Sequence, residues 1–201
     1  MMTLLEDHPE EVGLRERKKQ QTRAAIHEAA FRLIDAQGLE ATTIDQICQE
    51  AEVSGRTFFN YYPSKAAAAL DLRSNVLEPA VRASFHAAQG GLVAALCEAI
   101  GNTAEFAPSH VRVKPLIHRH PELMAPLSQM MSEVRGQFVT LAQERATSRE
   151  QAELAVTLVM AALSRIMHDD NARESALSQQ LLETVERLVD VGRENLEPVR
   201  S

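Results

Sequence analysis

Apolar residues along this chain recur at intervals of three and four, the period of a helix with one buried face, and no stretch shows the alternation of a strand. From Gln20 to Gln37 the stripe is Ile26, Ala29, Ala30, Leu33 and Ile34, and Gly38 then supplies a residue able to end the helix at positive φ. In TTIDQICQEA, Thr43 stands as an N-cap with Gln46 in capping-box spacing, and Ile44, Ile47, Cys48 and Ala51 share one face of a short second helix. Glu52 and Val53 leave room only for a tight connection. Ser54 caps a third helix that ends before Pro63, which disfavours helical geometry at Tyr62, and Ser64 caps a fourth beginning at Lys65. Three helices with so short a turn between the second and third form the helix-turn-helix pattern, whose third helix enters the DNA major groove.

Beyond Arg73 the pattern stays helical, with breaks at Gly90-Gly91, Pro108, Pro115, Pro121 and Thr147-Ser148, and it predicts five further helices. PELMAPLSQMMSEVRGQFVTLAQERA reads as one long helix in spite of Pro126. The last two helices carry broad apolar faces: Ala152, Ala155, Val156, Val159, Met160, Leu163 and Met167 on one, Leu177, Leu181, Leu182, Val185, Leu188 and Val189 on the other. The expected fold is all-α, with a helix-turn-helix domain over residues 15–75 and a larger helical domain over 76–201.

Composition refines this picture. Aromatic residues make up only 4% of the 201 positions, yet Phe58, Phe59, Tyr61 and Tyr62 fall within five of them, between Arg56 and Lys65. The net charge of −7 is unevenly placed: residues 1–13 hold four acids and no Lys or Arg, 14–75 hold nine basic and eight acidic residues, and 76–201 hold twelve and sixteen. Within the middle block, RERKKQQTR sets Arg15, Arg17, Lys18, Lys19 and Arg23 against Glu16 alone. By itself such a run reads as a solvated helix start. The N-terminus lacks the basic start of a signal peptide, and the longest apolar run, LAVTLVMAAL, is about half of the roughly 20 residues needed to span a bilayer, so a soluble cytoplasmic protein without a membrane partner is expected. Cys48 and Cys97 sit in helical apolar patterns far from any CxxC spacing and are expected as reduced core thiols.

On the third helix Phe58 and Tyr62, four apart, join Ile44, Ile47 and Leu33 in a minimal core, which turns Gly55, Arg56, Thr57, Phe59 and Asn60 elsewhere. That second face offers a bidentate guanine reader, a polar group, an apolar contact for a thymine methyl and an amide suited to adenine. Tyr61 and Lys65 flank it as phosphate contacts.

These residues carry a resemblance. VSGRTFFNYYPSK, with the spacing TT-I--I---A-VS--TFF-YY-SK over the block from Arg15 to Arg73, resembles the DNA-binding domain of the TetR family of transcriptional regulators. The resemblance implies backbone contacts from Thr57, Tyr61 and Lys65, a cap and phosphate contact from Thr43, and a groove-facing set of Gly55, Arg56, Phe59 and Asn60 next to Ser54. It also implies that Arg15, Arg17, Lys18 and Lys19 belong to a basic extension laid along DNA phosphate. One position departs from the family: Asp45 stands where many members have Arg or Lys, so no base contact is assigned to the second helix.

In the family the last two long helices form the dimer, which implies an interface of Val156, Val159, Leu163, Leu181, Val185 and Leu188; the same faces could instead complete a monomer core. The methionines other than the first two all lie late in the chain, and Phe106, Met124, Leu127, Met130, Met131, Phe138 and Met160 are expected either to line a pocket for an apolar effector or to pack as ordinary core. His118, His120 and Glu122, with His110 nearby, have poor ligand spacing and are not expected to hold a metal. No catalytic motif occurs, and no enzyme activity or cofactor is expected. The resulting expectation is a homodimeric repressor on a partly palindromic double-stranded operator, released by a small apolar or amphipathic effector. The alternative is a helical binding or interaction module that kept the fold without reading DNA, a reading the acidic balance and Asp45 favour.

Overall fold

A computed structural model describes residues 9–72, 76–103, 110–167 and 175–195, with side chains from Arg17 onward in the first stretch and from Arg112 in the third. Among the described residues there are ten α-helices and no strand. They are α1 (Pro9–Ala41), α2 (Ile44–Glu50), α3 (Gly55–Tyr61), α4 (Lys65–Ala69), α5 (Pro79–Ala87), α6 (Leu92–Gly101), α7 (His110–Arg119), α8 (Met124–Ala142), α9 (Arg149–Met167) and α10 (Leu177–Asn195). None is long and apolar enough to cross a membrane.

The chain forms two compact units, which are interleaved in sequence where two consecutive blocks, 15–75 and 76–201, were expected. The first comprises Met1–Arg73 with Arg112–Met130, and the second Ser74–Val111 with Met131–Ser201.

In the first unit α1 is longer than its apolar stripe. It reaches back to Pro9 and takes in the helix-favouring residues of RERKKQQTR, so the basic run is helical. Near its other end Gly38 takes φ 83°, ψ 167°, a bend that a side chain would strain. The core is built from Ile26, Ala30 and Ile34 of α1, Ile47 of α2, Phe58 and Tyr62 at the end of α3, the alanines of α4, and Leu116 and Leu123 from the later segment. Ile44 and Leu33 pack against it partly buried. The four alanines of α4 let it lie close to α1, where a His27 ring nitrogen meets the Ala68 carbonyl at 2.8 Å. The chain leaves α4 through Asp71 at φ 52°, a conformation held by Arg23 at 2.9 Å from Asp71 Oδ1 and by the Tyr62 hydroxyl, which donates to that oxygen at 2.5 Å.

The second unit gathers α5, α6, the later part of α8, α9 and α10 around Phe85, Leu96, Ile100, Phe138, Leu141, Val156, Val159, Leu163, Leu181 and Val185. Helix α6 approaches α10 so closely that a Cβ on Gly101 would stand 2.5 Å from the Ser178 backbone nitrogen. Arg145 ties the end of α5 by donating to the carbonyls of Phe85, Ala88 and Gly90.

Six α-helices follow Arg73 among the described residues, where five were expected. Pro115 lies inside α7, where it removes a single intrahelical bond. Pro126 is the third residue of α8, in the first turn, where amide groups lack helical partners in any case. Pro108 lies outside the described residues.

Candidate nucleic-acid interface

The α2–α3 unit is assembled by local hydrogen bonds. Thr43 Oγ1 accepts the Gln46 N–H at 3.2 Å while Gln46 Oε1 accepts the Thr43 N–H at 2.8 Å, a closed capping box that starts α2. Its end is turned by Glu52 at φ 53°, with the Val53 N–H donating to the Cys48 carbonyl at 2.9 Å. Ser54 then caps α3 by accepting the Thr57 N–H at 3.0 Å, and the two hydroxyls meet at 2.8 Å. Tyr62 is already extended at φ −137°, ψ 138°, as the following Pro63 requires.

This frame gives α3 two faces. Phe58 and Tyr62 are wholly buried, whereas Phe59 is 58% exposed and Gly55, Arg56 and Asn60 stand in solvent beside it. Thr57 and Tyr61 are half-buried at the edges. The Phe59 ring meets the buried Phe58 edge-on, with centroids 5.4 Å apart, and leaves its outer side in solvent, where an apolar contact with a partner can form. Burial, then the Asp71 charge, pushes the Tyr62 phenol upward.

The remaining phosphate candidates lie on other elements. Thr43 is exposed, as are Arg17, Lys18 and Lys19 on α1; Arg15 lies in the same helix, with its side chain outside the description. Lys65 is half-buried and donates to the Thr42 carbonyl at 2.7 Å. Asp45 is exposed in the first turn of α2, where an acid suits the helix dipole.

The residues expected to line a pocket are divided between the two units. Leu127 and Met130 pack on the first unit's core, Met131, Phe138 and Met160 belong to the second's, and Met124 is 51% exposed, so no single core is lined by them. Phe106 lies outside the described residues. Two open clefts occur in the second unit, one of about 390 Å³ beside Val93, Leu154 and Leu158 and one of about 380 Å³ beside Arg135, Thr140 and Arg149. Neither contains a residue of the expected pocket.

The dimer face requires a correction. Val156, Val159, Leu163, Leu181 and Val185 are buried in the chain's own core and are unavailable to a partner; Leu188, 37% exposed, is the one of the six that remains at the surface. Exposed apolar residues on these helices are Leu154, Leu182, Leu188 and Val191. Cys48 and Cys97 are buried free thiols. No three His, Cys, Asp or Glu among the described residues are grouped to hold a metal.

Sequence reasoning missed the packing of residues 112–130 on α1. Arg112 makes a bidentate pair with Glu28 at 2.7 and 3.0 Å and stacks over Phe31 at 4.3 Å, and Arg119 pairs with Asp35 at 2.7 Å. The signal was present: two acids seven apart on one helix face two arginines seven apart on another.

Residues 26–70, from the middle of α1 to the end of α4, match the family described as bacterial regulatory proteins, tetR family. A stretch of 148 residues is 31% identical to the HTH-type transcriptional regulator TcmR of Streptomyces glaucescens, covering 68% of this chain and 66% of that protein. The fold resembles a crystal structure from Pseudomonas aeruginosa PAO1, a candidate transcriptional regulator, with a TM-score of 0.50 at 21% identity over 88% of this chain and 92% of that one. With its capped α2–turn–α3 unit inside the matched segment, the chain belongs to the tetR family of bacterial regulatory proteins.

Proposed function

We propose that this protein is a DNA-binding transcriptional repressor that acts as a homodimer on a partly palindromic operator and is released by a small apolar or amphipathic molecule. The observation that carries the reading is the two-faced α3, with Phe58 and Tyr62 buried and Arg56, Phe59 and Asn60 exposed. Laid in a major groove, that face reads bases: Arg56 bidentate on guanine, Asn60 on adenine, Phe59 against a thymine methyl. Thr43 and Tyr61 donate hydrogen bonds to phosphate, Lys65 and the basic face of α1 neutralise it, and together they fix the register without adding sequence information. Two copies would place their α3 helices about 34 to 36 Å apart, one turn of DNA. An effector bound among the helices from Leu92 to Met167 would lower affinity by favouring a form with the reading helices out of that spacing, by its differential affinity for the two forms, typically about 1 to 3 kcal/mol.

Selection of bound duplexes from a random pool, followed by binding at several salt concentrations, tests the reading. Enrichment of an inverted repeat, with log K falling linearly against log salt, is the expected result. Binding without any sequence preference would favour the interaction-module reading, which the exposed Asp45 and the net charge of −7 support.

A further inference from the structure

Residues 112–130 enter the first unit from the second and return to it, so the chain passes between the units at both ends of this segment as well as after Arg73. Two ion pairs align α7 with α1 in the same direction: Arg112 with Glu28 and Arg119 with Asp35, the partners seven residues apart on each helix. Exposed pairs of this kind add little stability, but they fix a register.

One turn later the segment reaches the bend in α1. In a regular helix the Leu39 N–H and the Asp35 carbonyl would be each other's partners. At the Gly38 bend each is met instead by a side chain from the turn after α7. Glu122 Oε1 accepts the Leu39 N–H at 3.3 Å, and His120 Nε2 lies 3.2 Å from the Asp35 carbonyl, with its Nδ1 3.3 Å from Glu122 Oε1. Glu122's own backbone N–H, then that of Leu39, holds its carboxyl below the ordinary glutamate value, which keeps it an ionised acceptor. Both side chains sit over the Gly38 α-carbon, where an added Cβ would lie 3.6 Å from Glu122 Oε1.

From the bend the contacts run on to the phosphate candidates. The buried Thr42 donates its hydroxyl to the Gly38 carbonyl at 2.8 Å and accepts Lys65 on its own carbonyl at 2.7 Å, and its neighbour Thr43 caps α2.

We infer that Glu122 and His120 are positioning residues that splice the Gly38 bend and thereby hold Thr43 and Lys65 at phosphate, so that movement of the 112–130 segment loosens the grip on the DNA backbone while the base-reading face of α3 is untouched. This rests on the DNA-binding reading above. It requires a particular signature: loss of the splice weakens every duplex alike and leaves the base preferences in the same order.

Glu122→Ala and Glu122→Gln in the full chain test it by two readouts. Amide exchange without DNA should accelerate at Leu39 and Gln46 in Glu122→Ala, with α10 amides as protected as in the parent. Across the duplexes selected by the parent, affinity should fall roughly 2- to 10-fold with unchanged ranking. Glu122→Gln, which keeps an oxygen acceptor for Leu39, should recover most of both. Parent-like exchange and affinity in Glu122→Ala would overturn the inference. So would a loss confined to some sequences, or a loss of protection throughout the chain that Gln does not rescue. A parent that enriches no duplex overturns the DNA reading and the grip on phosphate with it, and the exchange data then decide the splice alone.

Discussion

The ammonium of Lys65 donates to the backbone carbonyl of Thr42 at 2.7 Å, joining the residue that follows α1 to the first residue of α4. A helix's last carbonyls lack helical partners, so this bond satisfies a group that would otherwise depend on water. It occupies one of three ammonium donors and leaves two for a phosphate oxygen. Lys65→Ala should weaken all duplexes alike and lower the salt slope by about one, with a stability cost of about 1 kcal/mol from the lost bond. Lys65→Gln can still donate to Thr42, so it should keep the stability and lose the same slope. An unchanged salt slope in both would remove Lys65 from the phosphate contacts.

Arg56 stands in solvent on the face of α3 turned away from Phe58 and Tyr62. A guanidinium on guanine discriminates where one on phosphate does not. Arg56→Ala should cost about 1 to 3 kcal/mol on the selected operator and relax preference at one position of each half-site, as read by binding to single-base variants. Equal weakening on every variant would make it a backbone contact.

Local chemistry made the reading unit legible. Thr43 with Gln46, Ser54 with Thr57, and Ser64 with Ala67 each act within three residues, so sequence spacing alone located the starts of α2, α3 and α4. Phe58 and Tyr62 were identifiable as core because helical spacing puts them on one face. The Glu28–Arg112 and Asp35–Arg119 pairs each join residues 84 apart, and no local rule states which distant helix a charged stripe will meet. The apolar stripes of α9 and α10 were visible too, but periodicity does not tell a face covered by the same chain from one covered by another. Val159 and Leu188 carry the same sequence signal and have opposite environments.

Burial in the second unit, then the Glu98 charge, pushes the Cys97 thiol up to about 12 from an ordinary 9.0. Below pH 9 the thiol is protonated in folded and unfolded chains alike, and its contribution to stability is intact. Between about 9 and about 12 the unfolded thiol ionises while the folded one holds its proton, so stability falls as pH rises. Urea midpoints should therefore decline above pH 9, less steeply in Cys97→Ala, and native Cys97 should resist thiol reagents at pH 8. Equal slopes for the two proteins would show that burial does not protect this thiol.

On α10 the buried positions Leu181, Thr184 and Val185 are continued at helical spacing by Leu188 and Val191, seven residues beyond Leu181 and Thr184. The stripe goes on, but the chain's own cover does not: Leu188 is 37% exposed and Val191 59% exposed. A second copy meeting this extension would bury both and hold two α3 helices for two half-sites, whereas the fully buried Val159 has no surface to offer. The two kinds of position therefore respond differently to charge. Val159→Glu should place an unpaired carboxylate in the core and destabilise the chain itself by about 3 to 5 kcal/mol, seen in denaturant melts at any concentration. Leu188→Glu with Val191→Glu should leave monomer folding nearly intact, shift sedimentation from dimer to monomer at micromolar concentration, and lower operator affinity by removing the second half-site. A double variant that still sediments as a dimer and binds the operator like the parent would place the interface elsewhere, with exposed Leu154 and Leu182 the next residues to test.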